Sequence, residues 1–132
     1  MARHNEVGQL GEDIATQFLK RKGWQILARN FRKPYGEIDI IIQKGGITRF
    51  IEVKTVSHET NDQDRGNVSR ENTEIRPEEN LHPQKMRRLA RVVNVYLLSH
   101  ETEEWFFDLI CVYLDEENRS AQVKWIKDII LT

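Results

Sequence analysis

Residues 36–55, GEIDIIIQKGGITRFIEVKT, constrain this chain more than any other stretch. Two apolar runs, Ile38-Ile40-Ile41-Ile42 and Phe50-Ile51-Val53, flank Lys44-Gly45-Gly46, which reads as a β-hairpin. Ile40-Ile41-Ile42 and Phe50-Ile51 put apolar side chains on both faces, the pattern of interior strands. Yet Asp39, Glu52 and Lys54 interrupt these runs, where charge is expensive. With Gly45-Gly46 as the two turn residues, Asp39 falls opposite Glu52 and Glu37 opposite Lys54. Side-chain alternation then predicts that all four share one face. Facing side chains have Cβ atoms ~4.5–5.5 Å apart, and like charges there repel. The two acids therefore need a proton, a cation or displacement into water. A divalent ion such as Mg²⁺, which takes carboxylate together with phosphate oxygens, satisfies both at once. Clustered carboxylates beside a lysine make a site candidate. An acid-x-lysine triplet is nevertheless common in a chain with 31% charged residues, and Glu37 with Lys54 reads equally as a cross-strand ion pair.

The remaining elements must cover that hairpin. Residues 7–22 carry a helical stripe of Val7, Leu10, Ile14, Phe18 and Leu19, closed by Lys20-Arg21-Lys22 and Gly23. WQILARNFR (24–32), rich in aromatic and branched residues, reads as a strand leading into the hairpin. Residues 57–80 contain almost nothing apolar and are predicted to be a mobile polar loop. Residues 82–100 resume the helical period through Met86, Leu89, Ala90, Val93 and Leu97, with Pro83 near the start. EWFFDLICVYL (104–114) reads as a further strand, and VKWIKDIIL (123–131) as a strand or short helix. The order predicts a single α/β domain over residues 1–132, a mixed sheet with helices packed on it.

Charge is unevenly distributed. The net charge of −1 hides two basic segments, residues 1–33 with seven Lys/Arg against three acids and residues 82–99 with four against none. The acids concentrate in residues 57–81 and 100–132. Two basic segments facing one site can bind a polyanion even in a nearly neutral chain, although a solvated mixed surface has the same composition. The single cysteine, Cys111, excludes a disulfide framework or Cys-rich zinc module and reads as packing. The start, MARHNEVGQL, lacks the apolar core of a signal peptide and no run reaches membrane-spanning length, so a soluble, cytoplasmic protein is expected.

GEIDIII…FIEVKT resembles the Asp…Glu-x-Lys core of the restriction-endonuclease-like nuclease superfamily. More closely, the chain resembles the YraN family, small bacterial proteins of uncharacterised function that are similar to archaeal Holliday-junction resolvases. The likeness runs through GQLGEDIATQFLKRKGWQILARNFR, the hairpin, HPQKMRRLARVVNVYLL and WFFDLICV. It implies that Asp39 and Glu52 hold one or two divalent metals, Mg²⁺ or Mn²⁺. It also implies that Lys54 orients water or stabilises charge, and that Glu12 is a further acid of the site. By position alone, Glu12 reads equally as a first-turn acid favoured by the helix dipole. Gln84, Lys85 and Arg88 open the second basic helix and are candidates for phosphate grip, or else its solvated side. Asp108 matches the family without a derivable role. Three departures bear on substrate grip: Ile38 where many superfamily members have proline, Val56 where an arginine is expected, and a 57–80 stretch without the usual glycine-aromatic turn. The resemblance implies a metal-dependent nuclease acting on DNA, with branched or otherwise structured DNA as the suggested substrate. The alternatives are a nucleic-acid-binding module with little cleavage and an adaptor that docks a protein through its acidic loop. A homodimer is left open.

Overall fold

Gly45 and Gly46 both hold positive φ, 56° and 80°, as a type I′ turn requires, and its twist matches that of the strands it joins. Ladder partners run from Lys44↔Ile47 to Ile40↔Ile51, the register expected from the paired glycines. The structure, a computed structural model, describes residues 2–58 and 81–131. Its elements are α1 (Ala2–Arg21), β1 (Gln25–Lys33), β2 (Gly36–Lys44), β3 (Ile47–His58), α2 (Pro83–Ser99), β4 (Glu104–Asp115) and β5 (Ser120–Ile126). α1 starts five residues before the expected helix. Ser57 and His58 still belong to β3; the rest of the expected loop, residues 59–80, lies outside the described residues.

The five strands form one α/β sheet in the order β1-β2-β3-β4-β5. Only β3 and β4 run parallel, paired from Ile47↔Glu104 to His58↔Asp115. A parallel neighbour needs a crossover, and α2 lies within it. Two apolar clusters cover the faces. On the α1 side Ala15 and Leu19 pack with Ile40, Ile42, Ile51, Ile110 and Val112. On the α2 side Leu89, Val92, Val93 and Tyr96 pack with Ile38, Ile41, Phe50 and Phe107. Ile40, Ile41 and Ile42 are all fully buried, as an interior strand demands. Leu10, expected in the α1 stripe, is instead 48% exposed, because the stripe turns inward one turn later at Ile14 and Ala15. Val92 and Tyr96 carry much of the α2 face and were absent from the stripe read in the sequence.

β2 stays paired with β1 down to Lys33↔Gly36, whereas its ladder with β3 ends at Ile40↔Ile51. β3 continues alongside β4 to His58. The sheet is therefore forked: β1 and β2 leave on one prong, β3 to β5 on the other. At the fork the alternation of β2 also reverses. Ile40 and Ile42 pack on the α1 side, but Ile38 packs with Ile41 on the α2 side. The neighbouring strand is irregular at the same level. Between the pairs Arg29↔Ile40 and Phe31↔Ile38 lie Asn30 and Asp39, and Asn30 has φ 53°, a left-handed conformation that asparagine tolerates better than most residues.

Candidate active site

Asp39 and Glu52 stand one step past the last regular pair of the β2–β3 ladder, in the crotch of the fork. There the Val53 N–H donates to Asp39 Oδ2 (2.8 Å) instead of to a strand carbonyl. The carboxylate thus replaces a ladder acceptor at the point where the strands part. Asp39 is mostly shielded from water, and its pKa is pushed up from 3.8 to about 8. Burial is the main cause, followed by the charge of Glu52; the Val53 N–H opposes both, and Glu12 adds to the rise. The charge of one acid thus falls on the other, as their facing positions imply.

Glu52 has a second neighbour. Lys85, from the first turn of α2, forms an ion pair with Glu52 Oε2. Lys54 does not take that place. It lies on the α2 side of the sheet with Glu52, two residues along an unbroken strand, but it is exposed and has no hydrogen-bond or ion-pair partner among the described residues. Glu37 departs from expectation too. The reversal at Asp39 sends it to the opposite face, so the four charged residues do not share one face. Glu37 pairs with Arg32 across β1 (3.3 Å), not with Lys54.

Glu12 approaches from the α1 side. In the orientation that its surroundings require, the Asn30 amide nitrogen donates to Glu12 Oε1 (3.0 Å) and Glu37 Oε1 (2.7 Å). Asn30 therefore ties the helix acid to the β2 prong. Burial raises the pKa of Glu12; Arg29 opposes the rise, while Glu37, Asp13 and Glu52 reinforce it. Because α1 begins at Ala2, Glu12 sits well past the first turn, and the helix-dipole explanation for an acid there falls away. Gly11 sets how closely α1 approaches. A Cβ on Gly11 would lie 1.8 Å from Thr55 Oγ1 and 2.8 Å from Thr55 Cβ, so only glycine allows the helix to cross β3 there and deliver Glu12.

Gln84 and Arg88 are exposed on the first turns of α2, flanking Lys85. Asp108, by contrast, is fully buried and belongs to the scaffold. It receives Arg49 Nη1 on both oxygens (2.9 and 3.2 Å), Trp125 Nε1 (2.9 Å) and the Asp128 N–H (3.0 Å). Arg49 lies over the rings of Phe106, Trp24 and Trp125. The group thus ties β3, β4 and the chain after β5 together. Only the apolar neighbours Phe107 and Leu109 hinted at its burial in the sequence.

Among the described residues, no three His, Cys, Asp or Glu side chains converge closely enough to form a metal cage. The fork offers instead a largely desolvated carboxylate pair, with Glu52 Oε2 facing only the Lys85 ammonium. Such hard oxygen donors suit Mg²⁺ or Mn²⁺. Mg²⁺ usually keeps several waters and takes only one or two carboxylates besides phosphate, so the pair fits it. No helix among the described residues is long and apolar enough to cross a membrane.

A forked mixed sheet with one helix on each face and paired acids at the fork defines an α/β protein of restriction-endonuclease-like type. Residues 11–112 match the Uncharacterised protein family UPF0102, the YraN family, and the chain belongs to it. It is 36% identical over 129 residues to UPF0102 protein FP2501 of Flavobacterium psychrophilum, covering 97% of this chain and 96% of that one. A UPF0102 protein of Campylobacter lari is 37% identical over 110 residues, 83% of this chain and 85% of its own. UPF0102 protein DSY2577 of Desulfitobacterium hafniense is 33% identical over 134 residues, 98% and 100% of the two chains.

Proposed function

We propose that this protein is a metal-dependent nuclease that hydrolyses phosphodiester bonds in DNA, branched or otherwise structured DNA being the first substrate to test. The observation that carries this reading is the Asp39–Glu52 pair, two shielded acids brought together where the β2–β3 ladder ends. Asp39 and Glu52 would hold Mg²⁺ or Mn²⁺. When bound, such an ion neutralises the phosphate and lowers the pKa of attacking water. Asp39 must lose its proton before it can serve as a ligand. Val53 fixes its carboxylate in place, and Asn30 holds Glu12 on the opposite side of the fork. The exposed Gln84 and Arg88 would meet the phosphate backbone. The test is a panel of single-stranded, duplex, flap and four-way DNA with Mg²⁺ or Mn²⁺. Metal-dependent cleavage by the wild type, lost in Asp39→Asn/Glu52→Gln, supports the reading. Absence of cleavage across the panel would overturn it.

A second reading, a nucleic-acid-binding module with little cleavage, is favoured by Lys54, which is exposed and has no ion-pair partner among the described residues. Lys54→Met separates the two. A residue that stabilises transition-state charge costs ~10²–10³ in rate when removed, with DNA binding hardly changed. If binding survives EDTA and falls steeply with salt, while no substrate is cut, the binding module stands.

A further inference from the structure

Lys85 sits where helix electrostatics disfavour it. The first turn of a helix is its positive end, where acids are stabilising and cations are not, and the first turn of α2 contains no acid. What compensates the Lys85 ammonium is Glu52, on a different element. The need is mutual. The Glu52 side chain is only 12% exposed, whereas that of Lys85 is 40% exposed. Glu52 also has Asp39 at its side, and the Lys85 ammonium is the cation that faces its Oε2. Glu52 therefore depends on a cation, and the lysine has an open path to water.

Resting on the metal-site reading above, we propose that Lys85 is the resident counter-ion of the carboxylate pair, and that a divalent cation binds by displacing its ammonium from Glu52. The lysine and the metal compete for one oxygen. Lys85 thus sets the metal affinity of the site without being a ligand. Once displaced, the ammonium lies on the exposed first turns of α2 with Gln84 and Arg88. Loading with metal therefore turns an internal ion pair into a positive charge available to an anionic substrate. Lys54 cannot play this role, since it contacts neither acid.

The competition lowers the apparent affinity by the fraction of molecules in which Glu52 is free, so removing Lys85 should tighten metal binding ~10-fold or more. Mn²⁺ binding would be measured by calorimetry on the wild type, Lys85→Met, Lys85→Gln and Asp39→Asn/Glu52→Gln. The two Lys85 variants guard against one failing to fold. Independently, acylation of Lys85 in the wild type, read by peptide mass mapping, should accelerate several-fold when Mn²⁺ is added, with Lys54 as an exposed control. Tighter Mn²⁺ binding in the Lys85 variants and a metal-induced rise in Lys85 reactivity support displacement. Equal or weaker binding in folded Lys85 variants, or unchanged Lys85 reactivity, overturns it. In that case a wild type that binds Mn²⁺ and a double acid variant that does not leave the metal site itself intact. If none of the proteins binds Mn²⁺, the metal-site reading and the displacement fall together.

Discussion

Asp39 behaves as a neutral acid in the metal-free fold, and this has a sign that can be measured. Its pKa rises from 3.8 to about 8, so the folded state binds a proton that the unfolded chain releases between these values. Stability of the metal-free protein should therefore fall as pH rises through that window and level off above about 8. Asn at position 39 mimics the protonated acid, and its amide oxygen can still accept from Val53. Asp39→Asn should raise the melting temperature near pH 8 by several degrees more than it does near pH 5. An equal gain at both pH values would show that Asp39 does not carry the proton. Asp108 makes the opposite case. Its carboxylate compensates Arg49 inside the fold, so Asp108→Ala strands a partly buried guanidinium and should cost ~3–5 kcal/mol by denaturant unfolding. A loss below about 1 kcal/mol would mean that Asp128, the other acid on Arg49 (2.9 Å), suffices.

At the scale of elements, the tightest constraint is the crossing of α1 over β3. Gly→Ala in an exposed helix normally stabilises by ~1 kcal/mol. At Gly11 the sign should reverse. The added methyl meets Thr55 at distances that real atoms do not adopt, and overpacking of this sort costs ~1–3 kcal/mol. A lowered melting temperature checks the crossing; an unchanged or raised one would show that α1 sits farther from the sheet. The hairpin and its register were legible in the sequence because Gly45-Gly46 admits one tight turn, which fixes every pair behind it. Asp39 beside Glu52 followed from that register alone. The fork was not legible. It coincides with Asn30, a residue of the neighbouring strand with positive φ, and with a reversal of the faces of β2 at Asp39. Glu37 moved out of the predicted group for this reason. Lys85 was hidden for another. Its meeting with Glu52 is set by the crossover that brings α2 back over the sheet, and no local pattern encodes where a crossover lands. Asp108 and Arg49 are 59 positions apart in the chain, beyond any periodicity.

For the whole molecule, these effects combine into two opposed pH profiles. Without metal, folding takes up a proton at the fork and the protein loses stability toward alkaline pH. With metal, the same proton must leave before Asp39 can act as a ligand, so binding releases it. Apparent metal affinity should therefore rise with pH by up to tenfold per unit below about 8 and level off above. Because a ligand of the folded state stabilises by mass action, a hundredfold excess over its dissociation constant is worth about 2.7 kcal/mol. That corresponds to an increase in melting temperature on the order of 10 °C. At a fixed Mg²⁺ concentration, the increase should be small near pH 6 and large near pH 8, while the metal-free protein weakens over the same interval. The two melting curves consequently diverge with pH, and Asp39→Asn/Glu52→Gln should bring them together at every pH. Scanning fluorimetry across that range, with and without Mg²⁺, is sufficient to see it. A metal increment that is independent of pH would mean that the cation binds elsewhere, away from the acid that holds the proton.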